Sequence, residues 1–267
     1  MLSIADTRTG RLVEIPSANR HLLRISVHVP VIDTGITPAY LRAPLVGDVL
    51  ARTAELHGLQ ALTLLTAPEL PQERVQALER AMAALGIHPP AAVGAYDQQE
   101  ALGSPADVHV LAHGTDTDAA DGARIDVGRV STEPADEGAQ PLLEERGPEG
   151  ADPLAVRMLL LGHDHRTPVE ATRAALAEAW QELRQWRRLV SSWAQEPSRP
   201  IPADLLKQAH AALADNLGVP AVLDMLRSVV GRADMPAGAK FETFAHLDRV
   251  LGLDLAREVG RPHPEVS

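Results

Sequence analysis

The residues best placed to do chemistry lie around one turn, "HVPVIDTGITPAYLRAP", where an apolar strand gives way to a helix. In α/β proteins such a junction collects a nucleotide phosphate, because helix N-terminal amides point at it. The turn has one glycine and neither lysine nor serine, and its polar candidates are His28, Thr37, Tyr40 and Arg42. Thr and Tyr hydroxyls donate hydrogen bonds but carry no positive charge toward a polyphosphate. Asp48 follows on the same helix, and His109 lies on a later strand with His113 four residues on. "GHDH" adds His163 and His165. Scattered histidines of this kind are more commonly surface or satisfied core residues than metal ligands, and no metal is expected. There are no cysteines, which excludes disulfides, thiolate catalysis and cysteine-bound zinc.

The elements that must hold these residues alternate. "SIADTRTGRLVEI" reads as a hairpin about Thr9–Gly10. "LLRISVHV" and "LQALTLLT" read as buried strands, and "LVGDVLARTAELHG" as a helix closed by Gly58. "PQERVQALERAMAALG" is a helix ending at Gly86, "PADVHVLAHG" a third strand and "ARIDVGRV" a fourth. This order predicts an α/β fold with a parallel, doubly wound sheet over residues 1–152, ending in an acidic loop at 131–152. Residues 153–260 read as an all-α helical bundle and 261–267 as a tail. In the bundle Leu176, Trp180, Leu183, Trp186, Val190 and Trp193 form one apolar stripe at helical spacing, expected to be core.

The net charge of −11 is concentrated in the middle, where Asp97–Asp152 holds 14 acidic residues against Arg124, Arg129 and Arg146. Such a segment repels polyphosphates and nucleic acids. Between Pro168 and Gly260 there are 11 basic and 12 acidic residues, so the helical half carries no such repulsion. Arg184, Arg187 and Arg188 beside the tryptophan stripe are the expected partner contact, for self-association or a second protein. No apolar run approaches the roughly 20 residues of a membrane span, and no signal peptide is evident. No membrane association and a cytoplasmic location are expected.

Three stretches together resemble cysteinyl-tRNA synthetases and the related cysteine ligase of mycothiol biosynthesis: "RISVHVPVIDTGITPAYLRAPLVGDVLAR", "ALERAMAALGIHPP" and "LAVRMLLLGHDHRTPVEATRAAL". "LADNLGVPAVLDMLRSV" then follows a helix pair of that family. The resemblance implies a class I synthetase-like Rossmann domain followed by a helical bundle, with the middle heavily deleted and the chain truncated after the bundle. It also implies that the family's His-Ile-Gly-His signature falls on Thr37, Pro38, Ala39 and Tyr40. The Lys-Met-Ser-Lys-Ser signature falls on Glu133, Pro134, Ala135, Asp136 and Glu137 by ungapped counting, and no lysine occurs before Lys207. His28 aligns with the first cysteine of the family's zinc site, and the segment carrying the second is missing between Pro90 and Asp107.

These departures imply a catalytically degenerate paralogue with no catalytic residue, cofactor or metal, acting as a binding or regulatory module. His28, Thr37, Tyr40, Arg42 and His109 would line a remnant pocket for an amino-acid-like or nucleotide-like ligand. Binding of tRNA is expected to be weak at best. The alternative is a repurposed enzyme that uses a preformed activated amino acid or aminoacyl-tRNA. A third reading is a genuine ATP-dependent cysteine ligase.

Overall fold

A computed structural model describes residues 2–15, 21–32, 35–68, 70–94, 101–117, 121–132 and 152–261. Residues Ser3–Asp6 (β1) and Arg11–Glu14 (β2) form the expected antiparallel hairpin, with Gly10 at φ 68° supplying the left-handed turn position. The main sheet is built from Leu22–His28 (β3), Gln60–Thr66 (β4), Ala92–Gly94 (β5), Val108–Leu111 (β6) and Ala123–Asp126 (β7). Its order is β5-β4-β3-β6-β7 and every pairing is parallel. Helices Pro38–Leu56 (α1) and Gln72–Ala84 (α2) carry the chain from β3 to β4 and from β4 to β5. The chain then returns past β3 to lay down β6. The carboxyl ends of β3 and β6 are therefore the topological switch point, where open α/β sheets place ligands.

β5 has only three residues and was not foreseen. The predicted fourth strand divides at Gly128. β7 stays in the main sheet, while Val130–Thr132 (β8) pairs in parallel with Val169–Ala171 (β9). A Cβ on Gly128 would stand 2.5 Å from the carbonyl oxygens of Arg166 and Thr167, so only glycine lets the two segments cross. Val169–Ala171, expected as helix, is consequently strand, and Thr172 caps the next helix by accepting from the Ala175 amide at 3.1 Å.

The helical half comprises Leu154–Leu161 (α3), Arg173–Trp193 (α4), Ala203–Ala214 (α5), Val219–Gly231 (α6) and Ala237–Leu251 (α7). The last helix was expected to run to Gly260. It stops at Leu251 because Gly252 enters the left-handed region at φ 60°, after which Leu253 and Leu255 turn inward. Of the tryptophan stripe, Leu183, Trp186 and Val190 are fully buried, and Trp186 and Trp193 both meet Phe244 edge-on.

One apolar cluster runs through both halves, from Ile25 and Val27 of the sheet through Leu41 and Leu50 of α1 to Leu160, Leu183 and Leu251. α1 is the shared element, with the sheet on one side and α3 and α7 on the other. Most of its turns are buried, unlike the one-sided helix of a peripheral layer. Among the described residues no helix is long and apolar enough to cross a membrane.

Candidate functional site

At the switch point His28 closes β3 and His109 lies within β6. In register Ser26 stands opposite His109 and Val27 opposite Val110, so His28 and His109 are diagonal neighbours on one face. Their rings meet, with His28 Nε2 3.1 Å from His109 Nδ1 and ring centroids 5.3 Å apart. One nitrogen donates to the other. The two are 6% and 3% exposed. Burial, then His109 and Arg124, pull His28 down to about 4. Burial, then Arg8, lower His109, against a backbone hydrogen bond to Asp121 that works the other way. Both rings are therefore neutral at pH 7.

The other expected pocket residues lie at the start of α1. Val27 alternates with His28 and packs under α1, where a Cβ on Gly47 would come within 2.6 Å of Val27 Cγ2. His28 and His109 thus face away from α1, toward the hairpin, where Arg8 reaches the carbonyl of Gly122. Thr37 and Tyr40 sit at the start of α1. Thr37 is its N-cap but makes no side-chain cap, and Tyr40 donates its amide to the Thr37 carbonyl at 3.1 Å. Pro38 occupies the first helical turn and removes one of the amides that would greet an anion.

Arg42, the one basic side chain in the first two turns, points in a third direction. It is 1% exposed and donates to the carbonyls of Gly128 at 2.9 Å, Arg129 at 3.2 Å and Asp164 at 2.9 Å. Burial brings its pKa down to about 10, which leaves it cationic. It staples α1 to the β7–β8 crossing and to the α3–β9 loop. His28 and His109 are brought together, and Arg42 is bound elsewhere, to the carbonyls of Gly128, Arg129 and Asp164. The Glu133–Glu137 alignment lies outside the described residues.

A second cluster of polar residues, built on Asp48, is buried. Asp48 accepts from Arg52 at 2.8 Å, from Arg157 at 2.7 Å and from the His88 amide at 3.0 Å, and its carboxylate lies 3.2 Å from His88 Nδ1. Its pKa is far below the usual carboxylate range, because hydrogen bonds from His88 and the two guanidiniums outweigh burial, which acts the other way. Arg157 also binds the carbonyls of Leu251 and Leu85, so one ion pair joins α1, α2's exit, α3 and the end of α7. A cavity of about 440 Å³ opens beside it, with Asp48, Glu55, Thr63 and His88 among otherwise apolar walls from α1, β4 and the loop before β5. His88 was missed because nothing near it in sequence marks it; the carboxylate that orients it lies 40 residues away.

The three helical arginines divide. Arg184 and Arg188 are exposed, with Arg184 5.6 Å over the Trp180 ring. Arg187 is 2% exposed, pairs with Asp152 at 2.8 Å and donates to the carbonyls of Leu253 and Asp254. Its expected place on a contact surface is corrected: residues 252–255, expected as helix, instead offer free carbonyls that draw it inward. Of the remaining histidines singled out in the sequence, His163 bonds the Leu159 carbonyl within its own helix exit. His165 is buried and held near 4 by that burial, with Nε2 unpartnered beside a cavity of about 30 Å³.

No family model matches the chain. Its sequence is 36% identical over 113 residues to an L-cysteine:1D-myo-inositol 2-amino-2-deoxy-alpha-D-glucopyranoside ligase of Streptomyces griseus, covering 40% of this chain and 26% of that one. The ligase of that name from Catenulispora acidiphila is 38% identical over 92 residues, covering 33% and 20%. That from Cellulomonas flavigena is 30% identical over 110 residues, covering 39% and 26%. The chain is thus similar in sequence to these cysteine ligases and matches between a fifth and about a quarter of their length.

Proposed function

We propose that the protein is a cysteine-ligase-like module that does not adenylate and acts by binding, as a cytoplasmic regulatory or scaffolding protein. The observation that carries this reading is Arg42. The one basic side chain in the opening turns of α1 is buried and saturated by three backbone carbonyls, facing neither the switch point nor solvent. A transferring phosphoryl group needs cations around it, and the start of α1 offers Thr37, Pro38 and Tyr40 instead. The neutral His28–His109 pair, closed on itself, supports the same reading. Exposed Arg184 and Arg188 beside Trp180 form the surface for a protein partner or a second copy.

The test is ATP–pyrophosphate exchange with each standard amino acid. No exchange above background is expected, since each missing charge-stabilising donor costs about 2.7–4 kcal/mol of transition-state stabilisation. Exchange with cysteine overturns the proposal.

A second reading is favoured by the 440 Å³ cavity, where His88 is oriented by Asp48 through Nδ1 and keeps Nε2 for a ligand. In that reading a preformed activated amino acid enters there and His88 handles a proton. A thermal shift with a non-hydrolysable aminoacyl-adenylate analogue, abolished in His88→Ala, supports it; an unshifted melting curve removes it.

A further inference from the structure

Three histidines that are distant in sequence meet at the seam between the sheet half and the helical half. His57 caps the C-terminus of α1, His210 lies on α5 and His246 on α7. His210 Nε2 and His246 Nε2 stand 3.0 Å apart with rings 5.3 Å between centroids, and the His57 ring is 5.9 Å from that of His210. We propose that this cluster is a binding site for an imidazole-preferring divalent transition ion, Zn²⁺ or Ni²⁺, that ties the two halves together.

The geometry of the pair is the starting point. Two nitrogens each about 2.0–2.1 Å from one ion stand roughly 2.9–3.4 Å apart for angles between octahedral and tetrahedral. His210 and His246 already meet that separation through their Nε2 atoms, on two helices packed side by side. His57 brings the second feature. Its Nδ1 lies 2.8 Å from the Thr53 carbonyl, which fixes the proton on Nδ1 and leaves Nε2 with its lone pair. A backbone carbonyl on the far nitrogen is the usual outer-shell partner of a metal-bound histidine.

Among the described residues no three His, Asp or Glu side chains already surround one point. The site therefore begins as a two-nitrogen clamp. His57, exposed at the helix end, completes it by a shift of that end which keeps its bond to the Thr53 carbonyl, and water fills the open positions. Without an ion one Nε2 donates its hydrogen to the other; on metal binding that ring carries its hydrogen on Nδ1 instead, so that both Nε2 lone pairs face the ion. Arg249 opposes any cation here. The site therefore requires an ion with strong imidazole affinity and discriminates against Mg²⁺ and Ca²⁺, which want oxygen ligands.

The experiment uses the full chain stripped with a chelator and titrated calorimetrically with ZnCl₂, NiCl₂ and MgCl₂. One Zn²⁺ or Ni²⁺ per chain, with no Mg²⁺ heat, is expected. His210→Ala and His246→Ala should each weaken binding at least about tenfold, the lower end of what even an outer-shell loss costs. His57→Ala should weaken it less. His28→Ala should leave it unchanged, which separates this site from the switch-point pair. Zn²⁺ should also raise the melting temperature of the wild type and not that of His246→Ala. His210→Asn and His246→Asn replace any alanine variant that does not fold. Imidazole ¹⁵N spectra of the wild type should show shifts at His57, His210 and His246. Absence of one-to-one binding by the wild type, unchanged affinity in folded His210 and His246 variants, or loss of binding in His28→Ala overturns the proposal. None of these outcomes depends on whether the protein adenylates.

Discussion

The two ends of α1 use polar residues in opposite ways. At its start, where an α/β sheet presents its ligand site, Arg42 is buried on carbonyls. The nearby switch point holds two neutral histidines bonded to each other. From its middle onward α1 carries Asp48, Arg52 and His57, which reach α3, α7 and α5 respectively through Arg157, the Arg249 carbonyl and His210. The cations of this helix hold the two halves together, and Arg42 and Arg52 are bound to distant carbonyls and to Asp48 rather than turned to the switch point. A fold can keep its ligand-binding geometry while its charges move to architecture.

The contrast breaks first at Asp48. Asp48→Ala leaves Arg157 buried and unpaired, and should destabilise by about 3–5 kcal/mol in urea denaturation. A loss below about 1 kcal/mol would show that the seam does not depend on this pair. Arg187→Ala removes an analogous buried pair with Asp152 and should cost somewhat less, because Asp152 retains Arg257.

Acid should separate the two kinds of site. His28 and His165 fold with values near 4 against an ordinary 6.5. The unfolded chain therefore takes up protons first, and stability falls as pH drops from about 6.5 to about 4, by an upper limit of roughly 3 kcal/mol for each ring. Asp48 behaves differently. Its folded value is depressed, so its contribution is intact above the ordinary carboxylate range and is lost only as pH falls below about 4. Denaturation midpoints measured from pH 7 to 3 should show both stages, and His28→Gln should shrink the upper one to the share of His165 while leaving the lower one unchanged.

The smallest expected effect on stability is at the surface. Charge reversal of Arg184 and Arg188 should shift stability by no more than about 0.5 kcal/mol while reducing association in size-exclusion and pull-down assays. Unchanged association by the folded variant removes this face as the contact.

Much of the fold was legible because local signals agreed with it. The Thr9–Gly10 turn, the continuous apolar runs of β3 and β4, and the glycines after α1 and α2 specify those elements from within a few residues. β5, β8 and β9 have three residues each, too few for a period to register. The pairing of β8 with β9 is set by the close approach at Gly128 rather than by their own composition. Arg187 was misjudged for a related reason. Its helix position reads as flanking the apolar stripe, but the carbonyls that draw it inward belong to a segment 66 and 67 residues on. The site residues suffered likewise. Period-two alternation places His28 opposite Val27, yet which face α1 would cover is decided by the packing of Gly47 on Val27.

Pro44 interrupts α1 from within. A proline lacks the amide that would reach back to the Tyr40 carbonyl, so the helix ladder misses a rung one turn after its start. In hydrogen-exchange terms the helix is divided there. The turn before Pro44 is held by the bonds of Arg42 to distant carbonyls and by buried Leu41 and Ala43, and the turns after it by an unbroken ladder within the core. Amides of Leu41–Ala43 should open and exchange as a local unit, at lower free energy than those of Leu45–Ala54. An opening of that kind would free the start of α1 without unfolding the seam that joins the two halves.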